Sequence, residues 1–222
     1  MTKEQLFSYV DHTQLKAFAT WEDIRKLCEE AIQYQTASVC VPPCYIKRIA
    51  DMYQGKIRIC TVVGFPLGYS TTEAKIQEVK TALAEGADEI DMVVNISDVK
   101  NGAFDKVEAE IKALREVTGN KILKVIIETC YLTENEKIAM CKAVTNAKAD
   151  YIKTSTGFGT GGATLEDVIL MKKNIGPEVK IKAAGGIRTK EDMEAFVEAG
   201  CCRLGTSSAV DILVDKGSTG AY

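Results

Sequence analysis

The chain has 222 residues, 46% of them hydrophobic and 27% charged, with a formal net charge of −3. That balance suits one globular domain over residues 1–222 with a sizeable core, and gives no electrostatic reason to expect nucleic acid or an anionic membrane as partner. No apolar run approaches the roughly 20 residues that a membrane span needs.

The first segment, MTKEQLFSYVDHT, lacks the positive, apolar and small-residue zones of a secretory leader. Eight cysteines are present, yet Cys40, Cys60, Cys130, Cys201 and Cys202 sit in or beside apolar strand-like runs. There they read as small hydrophobes in a reducing compartment, so a cytoplasmic location is expected. A single histidine, His12, makes a zinc site or a metal-dependent aldolase site unexpected.

Along the chain, strand-like runs alternate with amphipathic helical patterns. A strand is predicted over 8–13, then a helix in WEDIRKLCEEAIQY with Ile24, Leu27, Cys28 and Ile32 on one stripe. Strands follow at 37–41 and 57–63, then a helix that opens at an N-cap-like threonine in TTEAKIQEVKTALAEGA and closes at Gly86. The strand at 88–94 precedes the helix FDKVEAEIKALREVTG, and the strand at 122–128 precedes TENEKIAMCKAVTNA. Strands at 150–155, 179–184 and 202–206 are separated by helices in TLEDVILMKKNIG and TKEDMEAFVEAG. Several of these strands are continuously apolar, as strands covered on both faces are. Eight βα units in this length predict a closed α/β fold, the (β/α)8 or TIM barrel, with an open doubly wound sheet as the rival.

In such a barrel the C-terminal strand ends carry the chemistry. Three predicted strands contain an internal lysine: Lys124, Lys153 and Lys182, 29 residues apart in both steps. They are expected on neighbouring strands at similar heights, with Asp91 on the strand before them. One lysine alone would be read as snorkelling to solvent. Three beside an aspartate on consecutive strands point instead to a buried cluster, which pushes at least one lysine towards the neutral, nucleophilic amine. Lys180 lies at its strand's start and reads as a solvent lysine of the bottom rim. His12, beside Asp11, reads as hydrogen-bonded near the barrel mouth.

Three late loops, TSTGFGTGG (154–162), AAGGIRT (183–189) and GTSS (205–208), are rich in glycine and hydroxyls. Glycine lets backbone N–H groups approach an anion closely, and phosphate sites in barrels often follow the seventh and eighth strands. Arg188 is placed at the edge of that site or at the surface. GFGTGG partly matches a dinucleotide-binding pattern, but lacks the acidic partner about 20 residues on.

These motifs resemble the deoxyribose-phosphate aldolase family over essentially the whole chain. The matching segments are YVDHTQL (9–15), SVCVPP (38–43), TVVGFPLG (61–68), GADEIDMVVN (86–95), LKVIIET (123–129), ADYIKTSTGF (149–158), IKAAGGIRT (181–189) and LGTSSAV (204–210). The resemblance implies a Schiff-base aldolase with no metal and no cofactor. The implied reaction is reversible cleavage of 2-deoxy-D-ribose 5-phosphate to D-glyceraldehyde 3-phosphate and acetaldehyde. It implies Lys153 as the imine lysine, Lys182 as the second lysine that lowers the pKa of the first, and Asp91 as the proton relay. Gly157, Gly185, Gly186, Ser207 and Ser208 match phosphate-contacting positions, and Asp11 and Lys124 match supporting positions in substrate binding. Phe158 departs from the family pattern, because some members carry a lysine there. The partners implied are a small phosphorylated sugar and acetaldehyde; a homo-oligomer, dimer or tetramer, is compatible but not specified. Another Schiff-base aldolase on the same barrel and a silent sugar-phosphate binder remain the competing readings. The last residue, Tyr222, ends the tail KGSTGAY. Its phenol is a candidate general acid/base if the tail, about 25 Å long when extended, reaches the barrel mouth.

Overall fold

A computed structural model describes residues 1–214. Eight parallel strands close into a barrel in sequence order. They are β1 (Val10–Thr13), β2 (Ser38–Val41), β3 (Ile59–Val63), β4 (Glu89–Val93), β5 (Ile122–Ile126), β6 (Tyr151–Lys153), β7 (Lys180–Ala184) and β8 (Cys201–Thr206). Each predicted strand is present. The helices are α1 (Lys3–Phe7), α2 (Trp21–Tyr34), α3 (Ile46–Tyr53), α4 (Thr72–Ala84), α5 (Ile96–Lys100), α6 (Phe104–Thr118), α7 (Glu134–Asn146), α8 (Leu165–Asn174), α9 (Lys190–Glu198) and α10 (Ala209–Leu213).

Threonine sets most helix starts. Thr20, Thr133 and Thr189 form reciprocal capping boxes with Asp23, Glu136 and Asp192, while Thr71 and Thr164 cap α4 and α8 singly. Each box satisfies two backbone donors that a helix start would otherwise leave open. α3 was not predicted. It is eight residues long and buries only Ile46 and Ile49, so its apolar stripe is too short to stand out in sequence.

The main apolar core lies between the sheet and the helices, and Val39, Ile90, Leu123, Val125 and Ile152 belong to it. Those residues face outward from the barrel, so their strand neighbours face inward. Inside the barrel lies a small separate apolar cluster, Cys40, Cys60 and Val62, with Leu15 and Phe65 packed on it. Much of what remains inside the barrel is charged.

Candidate active site

Strand alternation aims one charged side chain after another at the barrel axis. Asp11 comes from β1, Glu89 and Asp91 from β4, Lys124 from β5, Lys153 from β6, Lys182 from β7 and Arg203 from β8. Register relates their positions: Asp91 pairs with Lys124, Lys153 with Lys182, and Lys182 with Arg203. Lys153 pairs with Ile126, two residues beyond Lys124. In a barrel of shear 8, paired residues descend by about one residue from each strand to the next, so Lys124 and Lys182 are level, as expected, and Lys153 stands one step above them, nearer the strand ends.

Asp91 is the hub. Its Oδ2 accepts from Lys153 Nζ at 2.8 Å and Lys182 Nζ at 2.7 Å, and its Oδ1 accepts from Lys124 Nζ at 2.8 Å. Lys182 also donates to Asp11 Oδ2 at 2.5 Å. Lys124 lies 2.6 Å from Glu89 Oε2. Arg203 Nη1 bridges Asp11 Oδ1 at 2.5 Å and Glu89 Oε2 at 2.9 Å. Ser38 donates to Asp11 at 2.6 Å, and Cys60 Sγ to Asp91 at 3.1 Å. Every member of this network is at least 95% buried.

Four cations thus share three carboxylates: Lys124, Lys153, Lys182 and Arg203 against Asp11, Glu89 and Asp91. Burial alone would push the Asp91 carboxyl up. The ammoniums of Lys124, Lys153 and Lys182 outweigh it and hold the group well below the usual carboxylate range. Asp11 is lowered in the same way, against burial, by Lys182, Lys124 and Arg203. Burial works to strip Lys182 and Lys124 of their protons. Asp11 and Asp91 overcome it at Lys182, and Asp91 leads the groups that overcome it at Lys124, so both lysines are raised and stay charged. Lys153 has the least support: among the described residues its one carboxylate is Asp91, which it shares with two other ammoniums.

Lys153 is also the member of the cluster that opens to the outside. It lines a cavity of about 360 Å³ together with Gly157, Gly185, Gly186, Ser207 and Ser208. The hydroxyls after Lys153 tie the rim together. Thr154 Oγ1 accepts from Ala184 N at 3.1 Å, joining the ends of β6 and β7. Glu128 accepts from Thr156 N at 3.2 Å and from its hydroxyl, which holds the start of the glycine loop. The glycines permit the approach: a Cβ on Gly162 would lie 2.4 Å from Gly185 backbone, and Gly185 and Gly186 have φ of +77° and +79°. Lys16 and Arg188 line the same cavity. Phe158 packs edge-on against Phe65, with ring centroids 5.3 Å apart, so it contributes no cation there.

The sequence-derived residues therefore separate by depth. Lys153 and the five glycine and serine positions line the cavity. Asp91, Lys182, Asp11 and Lys124 lie fully buried beneath it. Asp11 and Lys124 touch their charged neighbours and do not line the opening, which differs from a direct substrate contact. Tyr222 lies outside the described residues. His12 turns to the opposite face from Asp11 and meets Glu30 of α2 at 2.9 Å. Lys180 is exposed, as expected of a rim lysine. Arg203 and Glu89 were missed. A charged residue inside each strand was the available signal, and Glu89 shares a face with Asp91 by alternation. Cys40, Cys60 and Asp91, and likewise Asp11, Cys60 and Glu89, bring potential metal-ligating atoms within 4.8 Å. Each of these carboxylates already accepts from buried cations, so a metal ion would have to displace them.

A closed (β/α)8 barrel whose strand ends hold a lysine–carboxylate cluster beneath a glycine-lined cavity has the makings of a lysine-dependent aldolase. Comparison with known proteins narrows the class. The profile of the DeoC/LacD family aldolases matches residues 6–210. A deoxyribose-phosphate aldolase from Clostridium botulinum (strain Alaska E43 / Type E3) is 68% identical over 99% of this chain and 100% of its own length. One from Clostridioides difficile (strain 630) is 58% identical over 97% and 99%. The tetrameric structure of deoxyribose phosphate aldolase from Aeropyrum pernix superposes with a TM-score of 0.87 at 32% identity, covering 99% of this chain and 94% of that one. The chain belongs to the DeoC/LacD family of aldolases.

Proposed function

We propose that the chain works as one barrel domain, in the cytoplasm, as a deoxyribose-phosphate aldolase, with Lys153 as its imine lysine. It is a lyase that cleaves 2-deoxy-D-ribose 5-phosphate reversibly to D-glyceraldehyde 3-phosphate and acetaldehyde through a lysine Schiff base. The observation that carries the residue assignment is the position of Lys153. It is the lysine of the cluster that lines the cavity and the one with the least carboxylate support.

The neutral amine of Lys153 attacks C1 of the open-chain sugar, and loss of water leaves the protonated imine. Removal of the C3 hydroxyl proton breaks the C2–C3 bond, with the electron pair passing into the imine. Glyceraldehyde 3-phosphate departs and an enamine remains on Lys153. Protonation at C2 and hydrolysis release acetaldehyde and restore the amine. Asp91 bridges Lys153 and Lys182 through one oxygen, so it connects the reacting nitrogen to a charged proton donor. Held well below the usual range, Asp91 starts the cycle as an acceptor, and the Lys182 ammonium is the donor. Gly157, Gly185, Gly186, Ser207 and Ser208 receive the phosphate, with Lys16 and Arg188 as the cations at its edge. A dimer or tetramer is a separate proposal, read by light scattering. The activity is tested by ¹H NMR of the chain mixed with deoxyribose 5-phosphate. Acetaldehyde and glyceraldehyde 3-phosphate should appear together in equal amounts. Turnover of a 2-keto-3-deoxy sugar phosphate but not of this substrate would replace the reading with that of another Schiff-base aldolase.

A further inference from the structure

We propose that Arg203 is a positioning residue for the imine chemistry: with Glu89 it keeps the buried cluster one positive charge in excess, and the surplus proton then leaves from Lys153. This rests on Lys153 being the imine lysine. The argument begins with what the guanidinium cannot do. An arginine does not give up its proton in a protein, so its charge in the barrel is permanent. Arg203 engages Asp11 and Glu89 at 2.5 and 2.9 Å and stacks on the Tyr151 ring, with its guanidinium 5.5 Å from the ring centre. Those two carboxylates are therefore already partly used from below. Without Arg203, they would neutralise Lys182 and Lys124, leaving Asp91 for Lys153. With Arg203 present, Asp91 serves three ammoniums at once.

All eight strands face this cluster, and each buried titratable side chain aimed into it bears on the count. β1 brings Asp11, β4 brings Glu89 and Asp91, β5 Lys124, β6 Tyr151 and Lys153, β7 Lys182 and β8 Arg203. β3 brings Cys60, which burial, the Cys40 thiol and Asp91 push well up, so it stays neutral. β2 brings Cys40, lowered by its hydrogen bond with Cys60 and by the nearby ammoniums. Among the described residues, Cys40 is thus the one other group in the cluster able to relieve the surplus, and the test must include it.

The experiment is the pH dependence of kcat/KM for Arg203→Met, Glu89→Gln, the double variant, Arg203→Lys and Cys40→Ser. The free amine is the reactive form, so activity falls as pH drops through the acid limb. Arg203→Met leaves three ammoniums against three carboxylates, and its limb should move up by about one pH unit, a tenfold loss at fixed pH below the limb. Glu89→Gln adds to the surplus and should move the limb down. The double variant restores an excess of one and should return the limb to its parental place. Arg203→Lys keeps the charge and should stay near the parent. A role in packing alone would lower activity at every pH and give no opposite shifts. If Arg203→Met does not fold, Glu89→Gln and the double variant carry the same test. Limbs that move together, do not move, or follow Cys40→Ser instead overturn the proposal. Borohydride reduction of Arg203→Met with acetaldehyde at high pH should mark Lys153. An adduct on another lysine would refute the underlying assignment rather than the charge count.

Discussion

Replacing Lys182 by methionine removes an ammonium that shares an oxygen with the Lys153 ammonium. Lys182 and Lys153 reach Asp91 Oδ2 at 2.7 and 2.8 Å, so their nitrogens are at most about 5.5 Å apart. Two unit charges at about 5.5 Å and an effective dielectric of about 20 interact by about 3 kcal/mol. At about 1.4 kcal/mol per unit, that is about 2 pH units. The acid limb of kcat/KM should therefore rise by about 2 units in Lys182→Met, with about a 100-fold loss at neutral pH that alkaline buffer recovers in part. Lys182→Arg, which keeps the charge, should leave the limb near its parental position. Steady-state kinetics from pH 5 to 10 in constant-ionic-strength buffers reads both. A uniform fall in activity with no movement of the limb would refute the electrostatic role.

Three further outcomes follow from the same network. Chelation with EDTA should leave activity intact, because the lysine–carbonyl adduct is itself the electron sink; loss restored by zinc would contradict this. Asp11 and Asp91 are depressed when folded, so their contribution to stability is present above the unfolded carboxyl range near pH 4 and is lost as pH falls below it. Lys182 and Lys124 are raised, and their contribution persists until pH rises past about 10. Thermal melts should accordingly be flat from about pH 5 to 9 and drop steeply below about pH 4, and a melting temperature that rises as pH falls through about 4, or falls between about pH 7 and 9, would contradict the signs. Arg188→Ala should raise KM for deoxyribose 5-phosphate by about tenfold, the order of one charge-assisted contact, and leave unphosphorylated deoxyribose unchanged. Equal losses on both substrates would place Arg188 outside the phosphate site.

The fold was legible because its signals repeat. Strand-like runs, several of them continuously apolar, marked all eight strands, and amphipathic patterns marked the longer helices. α3 escaped because two buried residues make no readable stripe. The cavity-lining half of the site was legible too, since glycine, serine and lysine at strand ends carry chemistry in any barrel. The floor was harder to read. Arg203 was treated as part of an apolar strand, and Glu89 was passed over beside Asp91, although alternation places both inside. Whether such residues pair depends on contacts between strands far apart in sequence; Arg203 and Glu89 are 114 residues apart. The level of Lys153 was misjudged for a similar reason. Equal spacing along the chain does not set register, which puts Lys124 beside Tyr151 and Lys153 beside Ile126.

The central claim is that Lys153 carries the imine. The direct measurement is borohydride reduction in the presence of acetaldehyde, followed by proteolysis and peptide mass spectrometry. The reduced imine should add a two-carbon N-ethyl group to the peptide containing Lys153, and Lys153→Met should take up no label while its fold, read by circular dichroism, is kept. An adduct on Lys182 or Lys124 in the parent chain would contradict the assignment, and the roles given to Asp91 and Arg203 would fall with it.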